Sequence, residues 1–296
     1  MPTETIGVIG LGLLGSALSQ RLISAGFRVA GFDIGSDRVR EAERIGVTPA
    51  TSPADVASVA RRTVLSLPDS DVVDEVVEGE HGLLESLRTG DLIIDTTTAD
   101  PVRTEALARR LSEKGVGFVD ATVLGSSKQA RSGDVLIMAG GSDVDMERSR
   151  DILNAFTDRV FHMGPCGKGA QTKLIANLVL GLNRLVLAEA LVLGRRAGVN
   201  LDTLLSVLQG GAASSRVMDT KGRKMIDGDF APEARLAQHL KDVGLILELG
   251  EQTATPLPLS DLHADLLRSG VEEGFGELDN SAIMAVLESL TSSKDG

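Results

Sequence analysis

The stretch IGVIGLGLLG, residues 6–15, limits the fold of this 296-residue chain more than any other. A branched, apolar run, TIGVIG (5–10), enters glycines at 10, 12 and 15, and an amphipathic segment (14–25) follows at once. That is the pattern of a strand turning sharply into a helix. Gly10 permits the tight turn, Gly15 lets helix and strand approach each other, and Gly12 keeps a side chain away from the helix N-terminus. Gly-x-Gly-x-x-Gly alone is a weak sign. Its place directly behind a strand and at the start of a helix gives it weight.

The same alternation continues. RVAGFD (28–33), TVLSL (63–67), LIIDT (92–96) and VGFVDA (116–121) are short, branched and apolar, with amphipathic segments such as 36–45 and 101–114 between them. Runs buried on both faces and alternating with helices predict an α/β fold, a doubly wound, mostly parallel sheet of the Rossmann type. VLIMAGG (135–141) and RVFHMG (159–164) read as further strands. Beyond Gly164 strand signals cease. One long helical stretch runs from Ala170 to Ala197, and further helices are predicted at about 201–209, 212–227, 233–252, 259–270 and 279–290. The glycine-rich GPCGKG (164–169) marks the boundary, so a Rossmann domain is expected over 1–165 and an all-helical domain over 166–296, linked by the long helix. The last five residues are expected to fray.

Charge and composition remove several function classes. The formal net charge is −12, and the basic residues do not cluster, so neither nucleic acid nor an anionic membrane is an expected partner. The chain has no Trp and no Tyr, which leaves almost nothing for stacking on bases. A single cysteine, Cys166, forbids an intrachain disulfide and agrees with a reducing, cytoplasmic setting. No signal peptide is expected, because a strand-like run follows the short polar start. The most apolar stretch, 174–193, is interrupted by Asn177, Asn183, Arg184 and Glu189. No metal is expected.

The glycine turn implies a dinucleotide. Gly10, Leu11, Gly12, Leu13, Leu14 and Gly15 would cradle a pyrophosphate at the helix N-terminus. Asp33 ends the second strand about 20 positions on, where a carboxylate accepts hydrogen bonds from the adenosine ribose and repels a 2′-phosphate. NAD is therefore expected, with NADP disfavoured. Two later strand ends, SLPDSD (66–71) and DTTTADP (95–101), would complete the crevice through Leu67, Pro68 and Thr98. The alternative for Thr97 and Thr98 is N-capping of the helix ahead of Pro101.

A hydride transfer to or from a carbonyl needs a proton partner. None of the four histidines, His81, His162, His239 and His263, sits in a recognisable catalytic context. Lys173 and Asn177 stand one turn apart on one face of the long helix, amid Leu174, Ile175, Leu178 and Val179. Lys173 can serve as acid–base if burial and a nearby nicotinamide cation lower its pKa, with Asn177 holding the substrate or orienting the amine. The alternative is a lysine whose stem lies along an apolar surface and whose amine reaches water.

GPCGKGAQTKLIANL (164–178) resembles the GxGxxxKxxNN element of the β-hydroxyacid dehydrogenase family, which includes 3-hydroxyisobutyrate dehydrogenase and tartronate semialdehyde reductase. The resemblance runs in order over nearly the whole chain. IGVIGLGLLG resembles the cofactor element, DATVLGSSKQARSGDVLIMAGG (120–141) the substrate element DxPVSGGxxGAxxGxLxxMxGG, and HLKDVGLILELGEQTATPLPL (239–259) the KDLxLA…PLPL element. It implies that Lys173 is the catalytic acid–base and that Asn177 assists at the substrate. It further implies that Thr98 contacts the nicotinamide end and that Lys241 reaches toward the cofactor and active site from the helical domain, which carries substrate binding and dimerisation. A homodimer or homotetramer acting on a small anionic substrate follows from the same resemblance.

Two departures stand out. The first paired Asn of the family is Ala176 here, and only Asn177 remains. Where the family has Ser-Gly-Gly to hold a carboxylate, this chain has Leu124-Gly125-Ser126, followed by the polar Ser127, Lys128 and Gln129. The loop would hold an anionic end through Ser126, Ser127 or Lys128, or else admit a less polar substrate; Lys128 is otherwise a solvated charge. Lys173 and Asp33 weigh against an NADP-dependent imine reductase, and length weighs against a 6-phosphogluconate dehydrogenase. The retained lysine and the lack of added domains weigh against a non-catalytic dinucleotide-binding protein.

Overall fold

The computed structural model describes residues 4–292; part of the C-terminal stretch expected to fray (293–296) lies outside the described residues. By compactness the chain divides between residues 173 and 174 into two units.

The first unit is built on one eight-stranded sheet. Its elements are β1 (Thr5–Ile9), α1 (Leu13–Ser24), β2 (Arg28–Phe32), α2 (Ser36–Arg44), β3 (Val47–Pro49), α3 (Pro53–Val59), β4 (Arg62–Leu65) and α4 (Ser70–Glu78). There follow β5 (Leu92–Asp95), α5 (Pro101–Glu113), β6 (Gly117–Leu124), α6 (Ser127–Ser132), β7 (Leu136–Gly140), α7 (Asp143–Phe156) and β8 (Val160–Gly164). The sheet order is β3-β2-β1-β4-β5-β6-β7-β8. Every pairing is parallel except β6 with β7, which is antiparallel. The fold is thus α/β with a mostly parallel, Rossmann-type sheet, as the alternation of strands and helices predicts.

The apolar runs are continuous because both faces are covered. Ile6, Val8, Leu92, Ile94, Val119 and Ala121 point into one core with Leu18, Leu22, Ile152 and Phe156. Their strand neighbours Ile9, Ile93 and Phe118 point into the other, with Val56, Val77, Leu107 and Leu111. Five elements go beyond the sequence reading: β3, α3, α4, α6 and α7. The three-residue β3 is too short to leave a periodic signal. The strand predicted over 116–121 continues to Leu124, and α6 interrupts the polar stretch that read as loop.

The second unit is helical. α8 (Lys168–Arg196) begins in the first unit and continues into the second, followed by α9 (Leu201–Gly210), α10 (Arg216–Asp227), α11 (Leu236–Gln252), α12 (Pro258–Glu272) and α13 (Ile283–Ser292). Its core gathers Leu187, Leu191, Val217, Met225, Leu236, Val243, Leu267 and Val286. α8 is long and apolar enough to cross a membrane by length and composition alone. It supplies Leu174, Leu187, Ala188 and Leu191 to the protein interior, and its polar Lys173, Asn177 and Arg184 are buried as well. The sequence places the domain boundary at 165/166, where strand signals end; the compact units divide at 173/174, because β6 holds the first turns of α8.

Candidate active site

The parallel strands β2, β1, β4, β5 and β6 are neighbours, so their C-terminal ends share one edge of the sheet. The chain reverses its direction of progress between β1 and β4, and the crevice above such a switch point is where ligands bind in these sheets. The first unit brings Gly10–Gly15, Asp33, Leu67, Pro68, Thr98, Leu124–Lys128 and Lys173 to this edge or to the loops that leave it.

The three glycines differ in what surrounds them. Gly10 has φ +88°, and a Cβ there would lie 2.2 Å from the Ser66 carbonyl oxygen. A Cβ on Gly15 would lie 1.8 Å from the Gly10 carbonyl oxygen. A Cβ on Gly12 would meet nothing within 4 Å. Protein packing therefore explains two of the glycines, whereas Gly12 borders open space at the N-terminus of α1. Among the described residues no side chain caps that terminus. Helix geometry leaves its first amides, on Leu13, Leu14 and Gly15, without intrahelical acceptors. An uncapped, positively polarised helix end beside open space fits a pyrophosphate. Leu13 is exposed there, Leu14 half-buried and Leu11 buried.

Asp33 follows β2 with its side chain only 4% exposed. Its Oδ2 accepts from the Leu11 amide at 2.8 Å and its Oδ1 from the Gly35 amide at 2.7 Å, which fixes the carboxylate against the glycine turn. Arg38 reaches the same Oδ1 at 3.4 Å from a largely exposed position. The ends of β4 and β5 are tied together, since the Leu67 amide donates to Thr97 Oγ1 at 3.1 Å and Thr96 Oγ1 donates to the Leu65 carbonyl at 2.7 Å. Helix α5 is capped by Asp100, not by Thr97 or Thr98. Thr98 is half-buried and Pro68 exposed at these strand ends.

Lys173 is 8% exposed. Its Nζ donates to the Val123 carbonyl at 2.8 Å, so the amine ends on the backbone of β6 one residue before Leu124. Gly125 has φ +145°, and a Cβ there would lie 2.8 Å from Val135. Ser126 caps α6: its Oγ accepts from the Gln129 amide at 3.3 Å, while Gln129 Oε1 accepts from the Ser126 amide at 2.9 Å. That capping box commits the Ser126 hydroxyl, leaving Ser127 half-buried and Lys128 exposed at the start of α6.

Two acidic residues absent from the sequence-derived candidates lie beneath this loop. Asp95 and Asp120 are paired in the β5–β6 register, and each is 2% exposed. Burial, reinforced by the neighbouring Asp120 charge, pushes Asp95 up to about 7, against the hydrogen bonds from Thr97. Burial pushes Asp120 up to about 6, against the amides of Gly167 and Ala170. Burial and the Asp120 charge push the Cys166 thiol well above its usual range, which keeps it protonated. The signal for both acids was in the sequence: a lone carboxylate in an otherwise apolar strand, at the end of LIID and within GFVDATVL.

Asn177 and Lys241 belong to the second unit. There Asn177 Nδ2 donates to Asp242 Oδ2 at 3.1 Å, and Lys241 Nζ lies 3.7 Å from Asp242 Oδ1.

Comparison with known proteins agrees in length and order. Residues 5–164 match the family described as the NAD binding domain of 6-phosphogluconate dehydrogenase. Residues 167–287 match that described as NAD-binding of NADP-dependent 3-hydroxyisobutyrate dehydrogenase. The chain is 33% identical to 2-(hydroxymethyl)glutarate dehydrogenase of Eubacterium barkeri, over 97% of this chain and 95% of that protein. It is 34% identical to 3-sulfolactaldehyde reductase of Escherichia coli, over 94% of each. The solved structure of Mycobacterium tuberculosis 3-hydroxyisobutyrate dehydrogenase with L-serine is similar at a TM-score of 0.87 and 27% identity, covering 96% of this chain and 99% of that one.

Proposed function

The chain belongs to the β-hydroxyacid dehydrogenase family, and from that premise we propose that it interconverts a 3-hydroxy acid, or a related anionic alcohol, with its semialdehyde or ketone, using NAD and Lys173 as general acid–base. It is an NAD(P)-dependent oxidoreductase acting on CH–OH groups, as its relatives are. The observation that carries the finer reading is the buried Lys173 amine, held 2.8 Å from the Val123 carbonyl at the mouth of the substrate loop.

The glycine turn and the amides of α1 would hold the pyrophosphate, and Asp33 would receive the ribose hydroxyls; the nicotinamide, when bound, would supply or accept the hydride. Lys173 takes the hydroxyl proton in oxidation and returns it in reduction. The family resemblance assigns Asn177, one turn on along the helix, to assist at the substrate and Lys241 to reach toward the cofactor and active site. An NAD⁺-coupled absorbance screen against 3-hydroxy acids, hydroxysulfonates and amino alcohols tests this reading. Turnover of an anionic alcohol is the expected result, and no turnover across the panel would refute it.

Cofactor choice follows from Asp33. A buried carboxylate where a 2′-phosphate would sit should favour NAD over NADP by at least about tenfold in kcat/KM, roughly 1.4 kcal/mol. Arg38 reaches the Asp33 carboxylate at 3.4 Å. Asp33→Ser should release it and raise the relative use of NADP. Equal kcat/KM with both cofactors in the wild type would sink the assignment.

Substrate choice follows from the loop. Leu124 cannot donate the hydrogen bond that a serine gives a carboxylate, a loss of about 1.5–3 kcal/mol to a charged partner. With the Ser126 hydroxyl committed, Ser127 and Lys128 are the polar side chains at hand, and only Lys128 adds charge. Poor turnover of 3-hydroxyisobutyrate is expected, with better turnover of a substrate carrying a bulkier or different anionic end. The relatives named for a hydroxymethylglutarate and a sulfolactaldehyde support that direction. Leu124→Ser should shift preference back toward the short acid, and Lys128→Ala should raise KM more than it lowers kcat. Family-like efficiency on 3-hydroxyisobutyrate would contradict the shift, and unchanged kinetics in Lys128→Ala would leave that side chain a solvated charge.

Assembly into a homodimer or homotetramer belongs to the same proposal. Ile175, Val179, Val186 and Leu193 are each more than half exposed along α8, an apolar stripe that a second copy would cover. A monomer in sedimentation velocity at micromolar concentration would refute it.

A further inference from the structure

We propose that Asp120 is the positioning residue for Lys173: it holds the first turn of the lysine's own helix against the strand that carries the amine's acceptor. The inference rests on the reading of Lys173 as the proton partner.

A carboxylate between Val119 and Ala121 in a buried strand is costly unless its oxygens are engaged. Asp120 Oδ1 accepts from the Gly167 amide at 2.8 Å and Oδ2 from the Ala170 amide at 2.7 Å. The Cys166 thiol beside it works in the same sense, favouring the ionised carboxylate against burial. These amides lie at the start of α8, where helix geometry leaves N–H groups without acceptors and negative charge is favoured. Other helices here are capped from within: α3 by Ser52, α4 by Asp69, α5 by Asp100, α7 by Ser142 and α9 by Asn200. A local cap fixes where a helix begins. The cap of α8 comes from 47 and 50 residues away in sequence, so it also fixes where the helix sits.

The placement converges on the lysine. Ala170 precedes Lys173 by three residues, nearly one turn. Val123, the acceptor of Lys173 Nζ, follows Asp120 by three residues on β6. The two links close a ring made of about 10 Å of strand, about 4.5 Å of helix rise and the lysine side chain. The amine cannot move relative to the substrate loop unless one link breaks. Space around the ring has been cleared for it. A Cβ on Gly169 would lie 2.6 Å from the Met138 carbonyl oxygen and 2.7 Å from that of Asp120, and one on Gly140 would lie 2.5 Å from Asp120 Oδ1. Thr122 Oγ1 donates to the Gly169 carbonyl at 3.1 Å, a second strut between β6 and α8.

Asp120→Asn tests the tether, since the carboxamide keeps the shape but offers one acceptor oxygen to two amides. Kcat should fall about 10²-fold, the scale of an ångström-level misplacement of a catalytic group. The Kd for NADH, read from the ligand's own fluorescence, should stay within about twofold. Amide exchange in peptides covering 167–173 should become faster. The deciding measurement is the double-mutant cycle with Lys173→Ala. If Asp120 acts through the lysine, Asp120→Asn leaves the residual turnover of Lys173→Ala unchanged. A loss that multiplies with Lys173→Ala, or no loss in the single variant, overturns the proposal. Should Asp120→Asn not fold, Thr122→Val removes the second strut between β6 and α8 and is judged by the same cycle. If Lys173→Ala itself keeps its turnover, the lysine's role and this proposal fall together. If Lys173→Ala loses most of its turnover and Asp120→Asn is additive on what remains, only the positioning role falls.

Discussion

Lys173→Ala is expected to lower kcat roughly 10²–10⁴-fold, the usual contribution of a positioned acid–base group. NADH affinity should stay near that of the wild type. Those two results belong together because of where the side chain ends. Its Nζ lies on the Val123 carbonyl beside the 124–128 loop, whereas the elements proposed for the dinucleotide are the glycine turn, Asp33 and the ends of β4 and β5. Lys173→Arg should not restore turnover. A guanidinium stays protonated and so cannot accept the substrate proton. Its planar fork also differs in shape from the amine that donates to the Val123 carbonyl. Steady-state kinetics together with NADH titration of both variants decide the matter. An alanine variant with most of its turnover would make Lys173 a buried structural tie between α8 and β6.

Gly15→Ala should destabilise the protein by about 3 kcal/mol or more, while Gly12→Ala should cost about 1 kcal/mol or less. The new methyl at 15 would lie 1.8 Å from the Gly10 carbonyl oxygen, a backbone atom that cannot swing aside. The methyl at 12 would meet nothing within 4 Å. Its folding cost is confined to exchanging glycine for a poorer helix N-cap. Dinucleotide affinity reverses the order of interest. Gly12→Ala should weaken NADH binding at least about tenfold in a protein that still folds, because the methyl occupies the space a pyrophosphate needs. Thermal unfolding and NADH titration of the two variants separate the roles. Equal losses of stability, or unchanged NADH affinity in Gly12→Ala, would contradict the division of labour among the glycines.

Several features were legible because they are local. A glycine turn behind a strand needs only a few consecutive residues, and Asp33 follows at a spacing set by one helix and one strand. The long helix announces itself by period, and that period alone puts Lys173 and Asn177 on one face. The capping box of α6 was equally local, Ser126 with Gln129 three residues on, yet the polar run 126–129 read as a loop because its hydrogen-bonding groups suit an anion as well as a helix end. Thr97 was ambiguous for a similar reason. Its hydroxyl sits near a helix start, but it accepts from the Leu67 amide on the neighbouring strand end, and Asp100 takes the cap.

The sequence by itself determined the strand–turn–helix unit, the acidic residue that follows the second strand, the change from alternating to purely helical organisation, and the pairing of a lysine and an asparagine on one helix face. Each depends on backbone conformations and periodicities that a short segment carries within itself. Tertiary structure alone decided what the buried charges touch. LIIDT and GFVDA display Asp95 and Asp120, but nothing in either segment tells that the two acids face each other across paired strands, or that Asp120 holds amides 47 and 50 residues further on. The acceptor of Lys173, a backbone carbonyl with no side-chain signature at all, was equally hidden. Such partners are fixed by which strands pair and where a helix lands on them, and that is set by burial of the whole chain rather than by any one stretch of it.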